Sequence, residues 1–330
     1  MADRRMTDRA RDPSLSVGAN GPADVTNGPG AGAGTNGGGG GAVPSSWHEF
    51  RGGREVVRPG WAPVKSEVIE EALVSIYANG LELATIMCTP RDQVALALGF
   101  LKNERLIDGL ADVELTHVSR NGCCVDVWTS RPIVKPRRVI ITSGCGGGVT
   151  FTDPSVGIEP LRDGLQLEPE RLFDLFNRLH FPGSLHARTR GVHAAGLTDG
   201  ERLLALVEDV GRHNTIDKLL GECMLQGIDT AGRVLLATGR VSSEMLRKGA
   251  QMGCPIIASR NSPTSMSVEM AEAWNITLAG YVRQGSMRVY THPERLGMPE
   301  PAGMRAEGRP SERTRDHPIK PSLRKEKADR

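Results

Sequence analysis

The sequence predicts an α/β protein: a mixed sheet covered by helices, preceded by a smaller α+β lobe. Three observations carry this. From Leu203 to Tyr281 apolar runs alternate strictly with helical periodicity, as in sheets buried on both faces. From Ala72 to Trp128 two Asn-Gly turns, at Asn79-Gly80 and Asn121-Gly122, each separate a pair of strand-like runs. At both ends the composition collapses to Gly, Pro and charge, so the 330 residues hold roughly 250 that can build a core.

Residues 1–46 are about a quarter glycine, including Gly37 to Gly41, and read as a disordered tail; residues 297–330, rich in Pro, Arg, Lys and Glu, read as a second. The first lobe is expected over 66–141. Leu73–Tyr77 and Leu83–Met87 make its first hairpin. A helix should follow, capped by Thr89, with Pro90 in its first turn and Asp92 reaching back. Val94, Ala97, Leu98 and Leu101 then share the face that packs on the hairpin. Val113–Val118 and Val125–Trp128 form a second strand pair. The adjacent Cys123 and Cys124 at its turn should point to opposite faces, one to core and one to surface. Arg137–Ile141 is a strand leading to a loop over 142–150.

That loop, Thr142-Ser143-Gly144-Cys145-Gly146-Gly147-Gly148-Val149, surrounds one thiol with glycines. Four glycines in five residues leave no neighbouring side chain to cover the sulfur, and converging N–H groups would favour its thiolate. A buried cysteine in a glycine turn fits the local sequence equally well. The second lobe spans 151–295. It opens with a helix from Pro169 to His180, then alternates strands Leu203–Val207, Val234–Ala237, Pro255–Ala258 and Ile276–Gly280 with helices bearing Ile216, Leu219, Leu220 and Cys223, then around Glu244–Gln251 and Met266–Trp274.

A net charge of +2 argues against a protein devoted to nucleic acid, and no stretch approaches a membrane span, so a soluble cytoplasmic protein is expected. Six cysteines without a signal peptide or any C-x-x-C do not make a disulfide framework. The candidate binding chemistry lies where the strands of the second lobe end: Glu208-Asp209-Val210-Gly211-Arg212-His213-Asn214, Thr238-Gly239-Arg240, Ser259-Arg260-Asn261 and Tyr281-Val282-Arg283-Gln284-Gly285-Ser286. An arginine at every end exceeds what capping requires and suits a ligand with several phosphates. His213 fits a buried structural role as well as a ligand contact. His193 invites comparison with the H-x-E of zinc deaminases, but Ala195 stands in the acid's place and no P-C-x-x-C follows, so neither hydrolytic deamination nor a metal site has support.

From about Glu70 to His292 the chain resembles the formate dehydrogenase accessory sulfurtransferases, the FdhD family. The resemblance is carried by Thr89-Pro90-x-Asp92 with Leu98-Gly99-Phe100-Leu101, Ser143-Gly144-Cys145-Gly146, Val192-His193-Ala194-Ala195, the specific run Glu208 to Asn214 continuing to Asp217-Lys218, Ser242-Ser243-Glu244-Met245, Ser259-Arg260 with Pro263-Thr264-Ser265, and Thr277-Leu278-x-Gly280-Tyr281 running to Val289-Tyr290-Thr291-His292. It implies a cytidine-deaminase-like α/β lobe without zinc. It also implies a sulfur carrier in which Cys145 accepts persulfide sulfur from a cysteine desulfurase and passes it to the molybdenum bis(molybdopterin guanine dinucleotide) cofactor needed by a formate dehydrogenase catalytic subunit. Family cofactor contacts match Tyr281 to Ser286, and the anionic site adds Arg212 and His213. A homodimer is a further expectation. Many members carry C-x-x-C in the loop; here Gly148 replaces the second cysteine, so transfer must use Cys145 alone. A cofactor carrier that passes no sulfur is the alternative.

Overall fold

A computed structural model of the protein describes residues 41–51, 60–136, 139–141, 149–151, 153 and 157–298. Two long strands, β1 (Ala42–Arg51) and β2 (Gly60–Ile69), pair antiparallel from Ala42↔Ile69 to Arg51↔Gly60. β1 begins inside the stretch 1–46 expected to be a tail. Main-chain pairing makes this ribbon, and the side chains of β2 are mostly exposed, so apolar patterning gives no sign of it. Arg188 fastens it with two bonds to Glu67, at 2.6 and 2.7 Å.

β3 (Ala72–Ala78) and β4 (Leu81–Cys88) form the expected hairpin. Asn79 and Gly80 sit at φ 52° and 76°, as a two-residue type I′ turn requires. The helix α1 (Gln93–Asn103) starts later than expected, and Thr89 does not cap it; Asp92 holds the N-cap position with no side-chain bond. Thr89 instead binds the second lobe. Its N–H donates to Asp209 Oδ2 at 3.0 Å, its hydroxyl accepts the Val210 N–H at 3.1 Å, and its carbonyl accepts Lys218 Nζ at 2.9 Å. Lys218 and Asp209 form a fully buried ion pair at 2.6 Å.

β5 (Val113–Val118) and β6 (Cys124–Thr129) complete a sheet ordered β4-β3-β6-β5, with β3 and β6 parallel. The expected split of Cys123 and Cys124 between core and surface does not occur. Cys123 lies in the turn rather than on β6, so alternation does not apply, and both thiols are half-buried. β7 (Ile140–Ile141) and β8 (Val149–Thr150) then pair as a two-residue ribbon.

The second lobe runs α2 (Pro169–Arg178), α3 (Leu185–Thr189), β9 (His193–Thr198), β10 (Leu203–Asp209), α4 (Arg212–Gln226), β11 (Val234–Ala237), α5 (Ser243–Gln251), β12 (Ile256–Ser259), α6 (Ser265–Ala273), β13 (Thr277–Arg283) and β14 (Ser286–Thr291). Its six-stranded sheet is ordered β10-β9-β11-β12-β13-β14. β11, β12 and β13 are parallel, and β9 and β14 run antiparallel to their neighbours. Alternate residues divide between two cores. Leu235, Ala237 and Ile257 pack with α4, α5 and α6, whereas Val234, Leu236 and Ile256 pack with α2. The mixed sheet covered on both faces is therefore present. Among the described residues no helix is long and apolar enough to cross a membrane.

The two lobes meet through helices. α1 is buried all round from Ala95 to Leu101, one side on the four-stranded sheet, nearest β6 and β5 rather than the β3–β4 hairpin, and the other on α4. At the crossing a Cβ on Gly99 would fall on the Asp217 carbonyl and one on Gly221 on the Ala95 carbonyl, so the backbones touch only because both residues lack side chains.

Candidate functional site

The register places the carboxyl ends of β10, β11, β12 and β13 and the amino end of β9 along one edge of the sheet: Asp209 faces His193, and Ala237 lies between Ala195 and Ser259. Each of the four strand ends brings its arginine. Arg212, first in α4, is only 7% exposed. Arg260 is half-buried, donates from Nη2 to the Phe176 carbonyl at 3.1 Å and lies 6.0 Å from the Phe176 ring centre. Burial, then the Arg283 charge, draws the Arg260 guanidinium below its usual range. Arg240 and Arg283 are exposed.

The segment joining α2 to β9 adds a feature with no sequence expectation. His180 and His186 stack at 3.7 Å between ring centres and 22° between planes, each with a buried Nδ1 that finds no partner among the described residues. Burial, His186, Arg260 and Arg190 push His180 down to about 4. Burial also lowers His186, against the pull of Glu208. That carboxylate is committed to the Leu185 and His186 N–H groups, at 2.7 and 2.9 Å, while Asp209 is held by Lys218. Two imidazoles with orphaned nitrogens beside Arg190 and Arg260 form a polar surface suited to an anion. The concentration of His180, His186, Arg188 and Arg190 in eleven residues was the available signal.

Hydrogen bonds tie the other strand ends together. Thr238 Oγ1 accepts the Ala194 N–H at 2.9 Å and stands 3.5 Å from His193 Nδ1. Burial, then Arg212, lowers His193. Ser259 Oγ donates to the Gly239 carbonyl at 2.5 Å, Asn261 Nδ2 to the Thr238 carbonyl at 2.8 Å, and the Tyr281 N–H to the Asn261 carbonyl at 3.3 Å. Gly239 matters sterically: a Cβ there would come within 2.7 Å of the Arg212 Cβ.

Tyr281 to Ser286 proves to span the end of β13, the two-residue turn Gln284-Gly285 and the first residue of β14, closed by the Arg283↔Ser286 pair, with Gly285 at φ 76°. Arg283, Gln284, Gly285 and Ser286 are exposed at the tip. Tyr281, at φ 52°, carries the Arg288 guanidinium 4.4 Å above its ring. Val282 is wholly buried in the α2-side core and can offer a ligand only its main chain. His213 lies beneath the edge, 6% exposed, with Nε2 3.2 Å from Ser242 Oγ and 3.5 Å from Glu244 Oε2.

Burial drives His213 from 6.5 to about 4. The unfolded chain therefore takes up a proton, between those values, that the folded chain refuses. The stability this group contributes is complete above 6.5 and is lost as the pH falls towards 4. On lowering the pH from about 7 to about 4.5, His213→Gln should lose about 2–3 kcal/mol less unfolding free energy than the wild type, read from urea melts. Equal losses would contradict the buried neutral state.

Cys145 falls in residues 142–148, outside the described part. What is described is the base of its loop. β7 and β8 pair Ile140 with Thr150 and Ile141 with Val149, and the outgoing foot is fixed at once. The Phe151 N–H and Thr150 hydroxyl donate to Glu104 Oε2 at 2.7 and 3.1 Å, and the Phe151 ring packs edge-on to Phe100 at 5.9 Å. Burial raises the Glu104 carboxyl, while the Lys248 ammonium opposes the shift. Lys248 bridges to Asp217 at 2.7 Å and Glu244 at 3.4 Å, and Glu244 reaches His213. Burial opposes the Lys248 charge, but Asp217, Glu244 and Glu104 outweigh it and hold the ammonium above its usual range. A buried charged chain thus runs from the loop's foot to beneath the strand-edge site.

These features define a mixed α/β protein that presents a cationic, glycine-shaped edge of its six-stranded sheet. Residues 69–297 match the FdhD/NarQ family, and the chain belongs to it. It is 34% identical over 239 residues to the sulfur carrier protein FdhD of Bacillus subtilis strain 168, covering 71% of this chain and 91% of that protein. To the sulfur carrier protein FdhD of Halalkalibacterium halodurans it is 34% identical over 245 residues, 72% and 90% of the two chains. A crystal structure from Desulfotalea psychrophila, described as a candidate formate dehydrogenase accessory protein, superposes with a TM-score of 0.63 at 27% identity. It covers 77% of this chain and 99% of that one.

Proposed function

We propose that this protein is a cytoplasmic sulfurtransferase of formate dehydrogenase maturation. Cys145 takes sulfur from a cysteine desulfurase and passes it to a molybdenum bis(molybdopterin guanine dinucleotide) cofactor received at the strand edge. The Cys145 thiolate attacks the outer sulfur of the donor persulfide, the donor S–S bond breaks, and the donor cysteine leaves as thiolate. Cys145 then carries the persulfide and returns to thiolate when the outer sulfur is handed on. The exposed Arg240 and Arg283 draw in the phosphates, and Arg212 and Arg260 hold them with fewer competing waters. His180 and His186, whose burial favours the neutral ring, offer imidazole N–H donors to the phosphate oxygens.

The observation that carries this reading is the gathering of Arg212, Arg260, Arg283 and the His180–His186 stack at one edge, while Glu208 and Asp209 are engaged elsewhere. Carriage of the cofactor without sulfur transfer has one observation in its favour, Gly148 in place of a second loop cysteine. The site is tested by calorimetry with guanosine diphosphate. Arg260→Ala and Arg283→Ala should each weaken binding about tenfold or more, the scale of one charge-assisted hydrogen bond. Affinity unchanged by both substitutions, or equal for adenosine diphosphate, would contradict it and point to a nucleotide enzyme of other chemistry.

A further inference from the structure

Away from the strand edge, Cys123 and Cys124 bring two thiols into contact at the β5–β6 turn. Their Sγ atoms lie 3.4 Å apart. Cys88, Cys223 and Cys254 are buried, and burial pushes the first two up to about 12. Cys123 and Cys124 are half-buried and reachable from solvent. The Cys124 thiol, then the Ser119 hydroxyl 3.7 Å away, hold the Cys123 thiol below its ordinary range, and the same contact raises Cys124. Cys123 is thus the more readily ionised of the two sulfurs and Cys124 the less, and as a thiol Cys123 donates to Asn121 Oδ1 at 3.0 Å. That is the division of labour between an attacking and a resolving thiol.

The turn holds this arrangement from both sides. Ser119 Oγ accepts the Cys124 N–H at 3.0 Å, and the Cys123 carbonyl accepts the Ser75 N–H at 2.8 Å. Gly122, at φ 67°, turns its carbonyl to Gln93 Nε2 at 2.7 Å. Tyr77 and Glu82 are the titratable neighbours on β3 and β4, and both act to keep Cys124 protonated or are themselves shifted by it. Adjacent Cα atoms stand about 3.8 Å apart, short of the roughly 4.4–6.8 Å of ordinary disulfides, so a bond here is strained and readily reduced. It would serve as a reversible mark rather than a staple.

We propose that Cys123 and Cys124 form a redox modification site, oxidised by hydroperoxides to a vicinal disulfide and restored by dithiols. The Cys123 thiolate attacks one peroxide oxygen, the O–O bond breaks, and the alcohol or water leaves with a proton, giving the sulfenic acid. The Cys124 sulfur then attacks Cys123 Sγ, the S–O bond breaks, and the hydroxide departs as water with the Cys124 proton. The dithiol loses two electrons and the peroxide gains two. This chemistry is independent of sulfur carriage by Cys145.

The test uses the full chain with Cys145→Ser, so that the loop thiol takes no part, treated with stoichiometric hydrogen peroxide. The expected result is the loss of two hydrogens in intact mass, both cysteines protected from iodoacetamide within the peptide 121–131, and full reversal by dithiothreitol. With Cys124→Ser added, Cys123 should instead be trapped as a sulfenic acid by dimedone. Continued alkylation of both cysteines after peroxide would overturn the proposal. So would arrest at a Cys123 sulfinic acid, or the same loss of hydrogens in the Cys124→Ser variant.

Discussion

Cys145→Ala is expected to leave a formate dehydrogenase that contains molybdenum and its pterin cofactor but turns over at the level seen without the chain. The expectation of complete rather than partial loss follows from the loop's composition. Gly144, Gly146, Gly147 and Gly148 offer no second nucleophile, so Cys145 is the one thiol of the loop. Other thiols cannot substitute. Cys88, Cys223 and Cys254 are buried, and burial holds their thiols protonated. Cys123 and Cys124 sit on the turn of a different sheet, fastened to Ser75 and Gln93. The check is client activity and metal content in cells producing the variant. Activity retained at more than about a tenth of wild type, where removal of a nucleophile ordinarily costs several orders of magnitude, would remove Cys145 from the chemistry.

Gly221→Ala is expected to have the largest effect on stability, about 3–5 kcal/mol. The new methyl would coincide with the Ala95 carbonyl on α1, and the obstacle is backbone, which has no alternative rotamer. Relief requires the helices to part, which would also loosen Thr89 from Asp209 and Lys218 and leave a buried ion pair badly housed. Against a total of about 5–15 kcal/mol this is a large fraction. Gly109→Ala is the matched control: it meets nothing within 4 Å, its φ of 167° is extended backbone, and its urea midpoint should stay within experimental error. A Gly221→Ala midpoint as little changed would show that the helices do not touch as described.

The parts of the fold that follow from local chemistry were legible in the sequence. Asn79-Gly80 demanded a type I′ hairpin, and Val234–Ala237 and Ile256–Ala258 read as strands because both their faces are buried. Ser242 and Thr264 stand at helix starts as N-caps, accepting from Met245 and Ser267. What was not legible depended on distant partners. Thr89 looked like a cap until the second lobe claimed all its bonding groups. The strand β9 was hidden by Ala194, Ala195 and Gly196, poor strand formers; a Cβ on Gly196 would come within 2.8 Å of the Leu179 side-chain end, so close packing favours the small residue there. The alternation of Met287 and Val289 with Arg288 and Tyr290 did signal β14 and could have been read.

At the site, the four arginines were legible as a set because each ends a strand. The His180–His186 stack was not, since residues six apart around Phe181-Pro182-Gly183 have no periodic reason to meet. Nor does spacing along the chain reveal that Glu104, Lys248, Glu244 and His213 form one buried chain from the loop's foot to the strand edge.

The central claim, that Cys145 is the sulfur-bearing atom, is tested most directly by intact mass spectrometry of the full chain after incubation with a cysteine desulfurase and cysteine. The account predicts a gain of one sulfur atom, located by peptide mapping on Cys145, removed by reductant and absent in Cys145→Ala. No gain, or a gain that persists in Cys145→Ala, would contradict it.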